Sequence, residues 1–232
     1  MQSLISGYRA LVIGATGSIG SACVRVLRTD PNCSGVSELS RHSDSPVLLE
    51  NEASIAEAAE SVRASGPFQL LIDATGALTI DGHGPEKSLS ALDAERLMRS
   101  FQINAIGPAL VMKHFIPLLD GKHRAIYAKL SARVGSIADN KKGGWYGYRS
   151  AKAALNMMLQ TAAIETLRKK PEAIFVALQP GTVASRLTTP FVRQAECLAP
   201  DTSATGMLNA MDVLPVSAGA QFIDYAGNKI AW

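Results

Sequence analysis

The chain has 232 residues, and its 23 lysines and arginines against 20 aspartates and glutamates leave a formal charge of only +3, too balanced for a protein that holds nucleic acid by electrostatics. Hydrophobic residues make up 47% and charged residues 19%, the mix of one folded domain with a substantial core, and short basic runs such as Lys141-Lys142 and Lys169-Lys170 offer no grip on an anionic membrane. No stretch approaches the roughly 18 uninterrupted apolar residues of a spanning helix, and the N-terminal MQSLISGYRALVIG lacks a basic region followed by an apolar signal core, so the expectation is a soluble, cytoplasmic protein.

The first predicted element is a strand, Ala10-Leu-Val-Ile13, which runs into a glycine-rich turn and then a helix over Ser21 to Leu27. Strands follow at Gly35 to Ser40 and Val47 to Leu49, then a helix at Ser54 to Ala64 and a strand at Leu70 to Ala74. Helices are predicted at Leu89 to Phe101 and Ala105 to Leu119, before a strand at Ala125 to Leu130. A long helix from Tyr148 to Arg168, a strand at Ile174 to Gln179, a shorter helix near Thr202 to Met211 and a last strand at Gln221 to Asp224 complete the series. Seven strands alternating with helices predict an α/β fold, a Rossmann-type doubly wound, mostly parallel seven-stranded sheet with helices on both faces. No internal repeat or linker divides the chain, so residues 1–232 read as a single domain. Within the long helix, Ala151 to Ile164 is apolar or small on almost every side. One face would lie on the sheet, and the other would meet a second subunit or be covered by the loop after Pro180.

Cys23, Cys33 and Cys197 are odd in number and form no C-x-x-C, and His42, His83, His114 and His123 lack metal-ligand spacing, so neither a disulfide framework nor a metal site is predicted. Chemistry is written elsewhere. Gly14-Ala-Thr-Gly17-Ser-Ile-Gly20 follows the first strand and opens the first helix, where glycines let the backbone approach a pyrophosphate and the helix N-terminus favours its charge. About twenty residues on, where an acid would accept from an NAD ribose, stand Ser40 and Arg41, and a guanidinium there suits the 2′-phosphate of NADP. The nearest acid, Glu38, lies upstream inside the strand. Tyr148-Arg-Ser-Ala-Lys152 sets a phenol and an ammonium four residues apart on one helix face, where a fixed cation favours the phenolate of a group that ordinarily titrates near about 10.

In order along the chain these pieces resemble the short-chain dehydrogenase/reductase family. Gly14 to Gly20 is similar to its coenzyme turn, Asp73-Ala-Thr-Gly76 to its N-N-A-G segment, and Asn104 to its helix asparagine. Tyr148 and Lys152 match its Y-x-x-x-K, and Pro180-Gly-Thr-Val-Ala-Ser185 resembles its P-G-x-V-x-T. The stretches Leu-Ser-Ala-Arg-Val-Gly-Ser-Ile and Gly-Gly-Trp-Tyr-Gly-Tyr-Arg-Ser-Ala-Lys, with the ending Gly-Asn-Lys-Ile-Ala-Trp232, most resemble its C-factor-like branch.

The resemblance implies hydride transfer between a nicotinamide and a small-molecule carbonyl or alcohol, with Tyr148 as proton donor or acceptor at the substrate oxygen. It implies that Lys152 holds the nicotinamide ribose and depresses the tyrosine, and that Asn104 anchors a water joining Lys152 to solvent. Gly14, Thr16, Gly17, Ser18, Ile19 and Gly20 would cradle the cofactor phosphates, with Ser40 and Arg41 at the adenosine ribose. Ala74, Thr75 and Gly76, with Pro180, Gly181, Thr182, Val183 and Ser185, would line the ribose and nicotinamide. NADP, with NADPH preferred over NADH, is the expected cofactor, and a homodimer or homotetramer the expected assembly.

Three positions depart from the family pattern. Ser18 stands where the middle glycine of G-x-x-x-G-x-G would be, with Gly17 one place earlier, and Asp73-Ala replaces two asparagines. Ala132 occupies the usual place of the catalytic serine, leaving Ser131, or else Ser136, to assist Tyr148. That substitution, together with the C-factor likeness, keeps open a second class of function, a cofactor-binding regulatory or signalling protein with little turnover. Leu187, Phe191, Val192, Trp145 and Met207 would form an apolar pocket wall, with Arg186 and Arg193 near it.

Overall fold

The computed structural model describes residues 1–232, the side chain of Gln194 excepted. Six strands, β1 (Tyr8–Ile13), β2 (Cys33–Leu39), β3 (Leu70–Asp73), β4 (Ala125–Leu130), β5 (Ala173–Gln179) and β6 (Gln221–Asp224), form one sheet in the order β2-β1-β3-β4-β5-β6. Every adjacent pair is parallel. The central strands are buried almost end to end, which is why they read as unbroken apolar runs with no alternation.

Six helices connect and cover the sheet: α1 (Ser18–Arg28), α2 (Glu52–Ser61), α3 (Ala94–Phe101), α4 (Gly107–Phe115), α5 (Tyr146–Leu167) and α6 (Pro200–Asp212). Val12, Ile72, Ile126 and Val176 pack against α1 and α6 on one face. Leu11, Leu71, Tyr127 and Phe175 pack against α2, α4 and α5 on the other. The chain leaves β1 for β2 on one side and crosses to β3 on the other, so the ends of β1 and β3 flank the point at which the winding reverses. Such switch points are where open α/β sheets bind ligands. No helix among the described residues is long and apolar enough to cross a membrane.

The predicted strand at Val47 to Leu49 does not form, and the sheet has six strands instead of seven. Val47 donates its N–H to the Ser40 carbonyl at 3.0 Å, and Leu48 donates to Ser54 Oγ at 3.3 Å. Their backbone is thereby satisfied within a loop while Val47 and Leu49 plug the core. A short apolar run buried from a loop has the same signature as a buried strand. The helix expected from Leu89 starts later, at α3, because the Asp93 side chain caps it by accepting from Arg96 N–H at 2.9 Å. Between α3 and α4 the chain continues through one π-helical stretch, Gln102–Ile106, an insertion that displaces side chains and recurs at functional sites.

The apolar layer under α4 supplies much of the cohesion. Phe115 is fully buried within it, so Phe115→Ala should cost about 3–5 kcal/mol in urea unfolding, and a loss below about 1 kcal/mol would mean that this layer is not packed as described.

Candidate functional site

The turn after β1 leaves almost no room for side chains. Gly14 is left-handed, with φ 84°, and a Cβ on it would come within 3.0 Å of the Ala74 carbonyl carbon. A methyl on Gly20 would overlap the Gly14 carbonyl oxygen. The turn is stitched to β2 by N–H donation from Gly14 and Ala15 to the Leu39 carbonyl, at 2.8 and 3.0 Å. Gly17 caps α1 with no side chain folded over the helix end and no acid in the first turn. The first intrahelical donation is from Ser21 to the Gly17 carbonyl, so the N–H groups of Ser18, Ile19 and Gly20 point outward with no partner among the described residues. This cradle fits a phosphate of a dinucleotide. Thr16 and Gly17 are exposed at its rim, and Ser18 stands at the first helical position without blocking it.

Arg41 follows the end of β2 on the same side of the sheet and is exposed. Ser40 beside it is buried, with its N–H on Ser43 Oγ at 2.9 Å and its own Oγ accepting from His42 N–H at 3.0 Å. Ser40 therefore shapes the turn that presents Arg41. Glu38, the nearest acid, is paired with Arg28 of α1.

Tyr148 and Lys152 occupy the first turns of α5. The Lys152 ammonium lies 5.7 Å from the centre of the Tyr148 ring and donates to the Leu130 carbonyl at 3.2 Å. Gly76, with φ 141°, makes this possible, since a Cβ there would sit 3.4 Å from Lys152 Nζ and 3.2 Å from Asn104 Oδ1. Asn104 is fully buried in the π-helical stretch, where its Oδ1 accepts from Ala77 N–H at 3.0 Å. Its Nδ2 has no partner among the described residues. Burial, with the Lys129 ammonium nearby, pushes Lys152 down to about 7. Burial also raises Tyr148 above its ordinary value. The direction is opposite to the expected depression, because loss of solvent raises the phenol while the cation lies over the ring without hydrogen-bonding the hydroxyl.

No hydrogen bond joins Ser131 to Tyr148. It is the first residue past β4, and its hydroxyl donates to Asn156 Oδ1 at 2.6 Å, one helical turn deeper than Lys152. Alternation along the extended chain turns it onto the helix layer. Ser136 is engaged as well, its Oγ accepting from Asp139 N–H at 3.0 Å. Ala74, Thr75 and Gly76 form a tight turn in which Asp73 Oδ1 accepts from Thr75 N–H and Oγ1–H at 2.9 and 2.6 Å. Past β5, Pro180 is held by Ser203 at 2.6 Å, and Gly181 turns with φ 81° beneath Leu198. Val183 is buried, Ser185 takes Thr188 Oγ1 on its N–H at 3.1 Å, and Thr182 is the exposed member of the group.

Sequence reasoning missed Glu86. Its carboxylate accepts from Gly147 N–H at 2.9 Å and its carbonyl from Trp145 N–H at 2.5 Å. It caps the N-terminus of the helix that carries Tyr148. Trp145 is itself left-handed, with φ 55° and ψ 41°, a conformation that a bulky residue adopts only when its surroundings impose it. Beside it opens a cavity of about 350 Å³ lined by Leu78, Ile80, His83, Glu86, Arg96 and Tyr148 among others. Phe191 reaches across from the loop after β5, 5.6 Å from the Trp145 ring. Of the expected apolar wall, Trp145 and Phe191 contact each other without lining this cavity, whose walls also carry Asp81, Asp93, Glu95 and Arg99, and Met207 is buried under the opposite face of the sheet.

A sequence profile described as short chain dehydrogenase matches residues 8–196. The C-signal of Myxococcus xanthus is 35% identical over 170 residues, which cover 72% of this chain and 95% of that protein. The 1-hydroxy-2-glutathionyl-2-methyl-3-butene dehydrogenase of Rhodococcus sp. is 31% identical over 144 residues, 62% of either chain. Among solved structures, NADPH-bound carbonyl reductase from chicken fatty liver superposes with a TM-score of 0.84 at 22% identity, covering 98% of this chain and 95% of that one. The Sniffer carbonyl reductase of D. melanogaster gives 0.81 at 20%, covering 97% and 99%. At these identities the structures establish the shared fold, while the profile match over most of the length establishes descent. The chain belongs to the short-chain dehydrogenase/reductase family of oxidoreductases.

Proposed function

We propose that the chain is an NADP(H)-preferring oxidoreductase acting on a small carbonyl or alcohol, with Tyr148 as the general acid and base. The observation that carries this reading is the meeting, at one switch point, of an open helix N-terminus with a Tyr148 and Lys152 pair beside a cavity. The nicotinamide, when bound, supplies or takes the hydride. The glycine turn and the first N–H groups of α1 hold the pyrophosphate, and the exposed Arg41 guanidinium takes the 2′-phosphate. Lys152 would hold the ribose hydroxyls, and Thr182 would line the nicotinamide. In the reducing direction the Tyr148 hydroxyl gives its proton to the substrate oxygen. The resulting phenolate is stabilised by the Lys152 ammonium and regains a proton through it.

With Ala132 in the serine position and Ser131 held by Asn156, substrate orientation falls to Tyr148 and the cavity wall. Met157 and Ile164 on the outer side of α5 are 67% and 44% exposed, which supports self-association as a homodimer or homotetramer through that face. A second reading, a cofactor-binding signalling or regulatory protein with little turnover, is favoured by Ala132 and by the identity to C-signal.

Calorimetric titration with the two cofactors is the direct check, with NADPH expected to bind more tightly than NADH. Arg41→Ala should remove on the order of 1.5–3 kcal/mol from NADPH binding alone, and an equal loss for both cofactors would refute the 2′-phosphate assignment. Tyr148→Phe should keep NADPH binding and lower carbonyl reduction by roughly 10²–10⁴-fold. Unchanged turnover in that variant would falsify the mechanism, and tight NADPH binding without turnover across a carbonyl panel would favour the second reading.

A further inference from the structure

Directly behind Lys152 lies a second, fully buried ion pair. Asp73 and Lys129 are register partners at the carboxyl ends of β3 and β4, with Lys129 Nζ 2.8 Å from Asp73 Oδ1 and both side chains 0% exposed. Lys129 also donates to the Thr75 carbonyl at 2.8 Å and to Thr75 Oγ1 at 2.9 Å. Lys152 lies against the next residue, Gly76, and donates to the carbonyl of Leu130, the neighbour of Lys129. The two ammonium groups therefore clasp consecutive residues of one turn and approach the ends of the same two strands.

Polar groups collect around this point. The four buried side-chain atoms without a partner among the described residues are Asp73 Oδ2, Asn104 Nδ2, Tyr127 Oη and Asn156 Nδ2. All belong to the layer between the sheet and the helices α4 and α5. Burying an ion pair in such a layer is poor value for stability compared with apolar residues of the same volume, so its presence next to a reacting lysine calls for another reason.

We propose that Asp73 and Lys129 are positioning residues of the active site, a charge pair that acts on Tyr148 through Lys152 by setting how much positive charge Lys152 carries at neutral pH. The proposal rests on the reading of Lys152 as the partner of Tyr148. Lys129 opposes a second ammonium beside it, and Asp73 offsets that opposition in part, so together they keep Lys152 able to give and regain a proton. The other groups around Lys152 leave this control to the pair. Tyr148 on its own helix and Tyr127 on β4 are both held protonated by burial, Asn104 from the π-helical stretch does not titrate, Arg133 after β4 turns to Asp224 at 3.3 Å, and Glu86 is engaged at Gly147.

The test is a pH titration of the lysine side-chain nuclear resonances in the cofactor-free full chain, with the Lys152 signal assigned by its loss in Lys152→Met. In the unaltered protein Lys152 should titrate near neutrality. Lys129→Met should move the midpoint upward by about one pH unit or more. The double variant Asp73→Asn with Lys129→Met, which leaves no buried charge unpaired, should move it in the same direction by less. A midpoint that stays in place in a folded variant overturns the proposal, as does failure of both variants to fold, which would make the pair a structural strut. Calorimetry with NADPH on the same samples separates the two readings. A moved midpoint in a protein that does not bind NADPH sinks the functional reading alone, whereas tight NADPH binding with an unmoved midpoint sinks this one alone.

Discussion

Between the ends of β1 and β3 two backbones come so close that only glycine fits. Gly14 lies against Ala74, and Gly20 lies under Gly14. The contact follows from the topology, because parallel neighbours at the switch point must both turn away at the same edge of the sheet. The same demand for space runs on through the site. Gly76 clears room for Asn104 and Lys152, and Gly135 packs against the Lys152 backbone, where a Cβ would stand 2.9 Å from its carbonyl carbon. A line of missing side chains thus joins the glycine turn after β1 to Tyr148 and Lys152.

Desolvation is the second organising force. Burial favours the neutral phenol at Tyr148 and the neutral amine at Lys152, so the two groups hold their protons differently from an exposed tyrosine and lysine. Charge at this point is governed by what lies behind it in the sheet. A polar layer beneath α4 and α5 interrupts the apolar core along the edge that carries Tyr148 and Lys152. The helix bearing Tyr148 is itself anchored by a carboxylate from another loop, Glu86, and by the strained backbone of Trp145, so orientation of the phenol depends on two segments distant in sequence.

Much of the fold was legible in the chain. Buried parallel strands are near-continuous apolar runs, and β1, β3, β4, β5 and β6 all lie where such runs stand. Val47 to Leu49 carries the same signature and belongs to a loop, since three apolar residues show that they are buried but not to what their backbone bonds. The glycine turn and the Tyr148 and Lys152 spacing were legible because each is local, written within seven and five consecutive residues. Ser131 was a reasonable substitute for Ala132 by neighbourhood in the chain, yet its hydroxyl belongs to Asn156, 25 residues away.

The sequence by itself determined the alternation of strand and helix, the parallel sheet, the glycine turn, and the phenol and ammonium on one helix face, because periodicity and short-range spacing are properties of the chain. Tertiary structure alone decided that Glu86 caps the helix carrying Tyr148, 61 residues further on, and that Lys129 reaches the turn at Asp73 to Thr75 across more than 50 residues. It also decided that burial pushes the Tyr148 phenol up rather than down. Those outcomes depend on which polar groups are enclosed together once the layers close, and the free energy of a buried charge or donor is set by its three-dimensional surroundings, which no local pattern records.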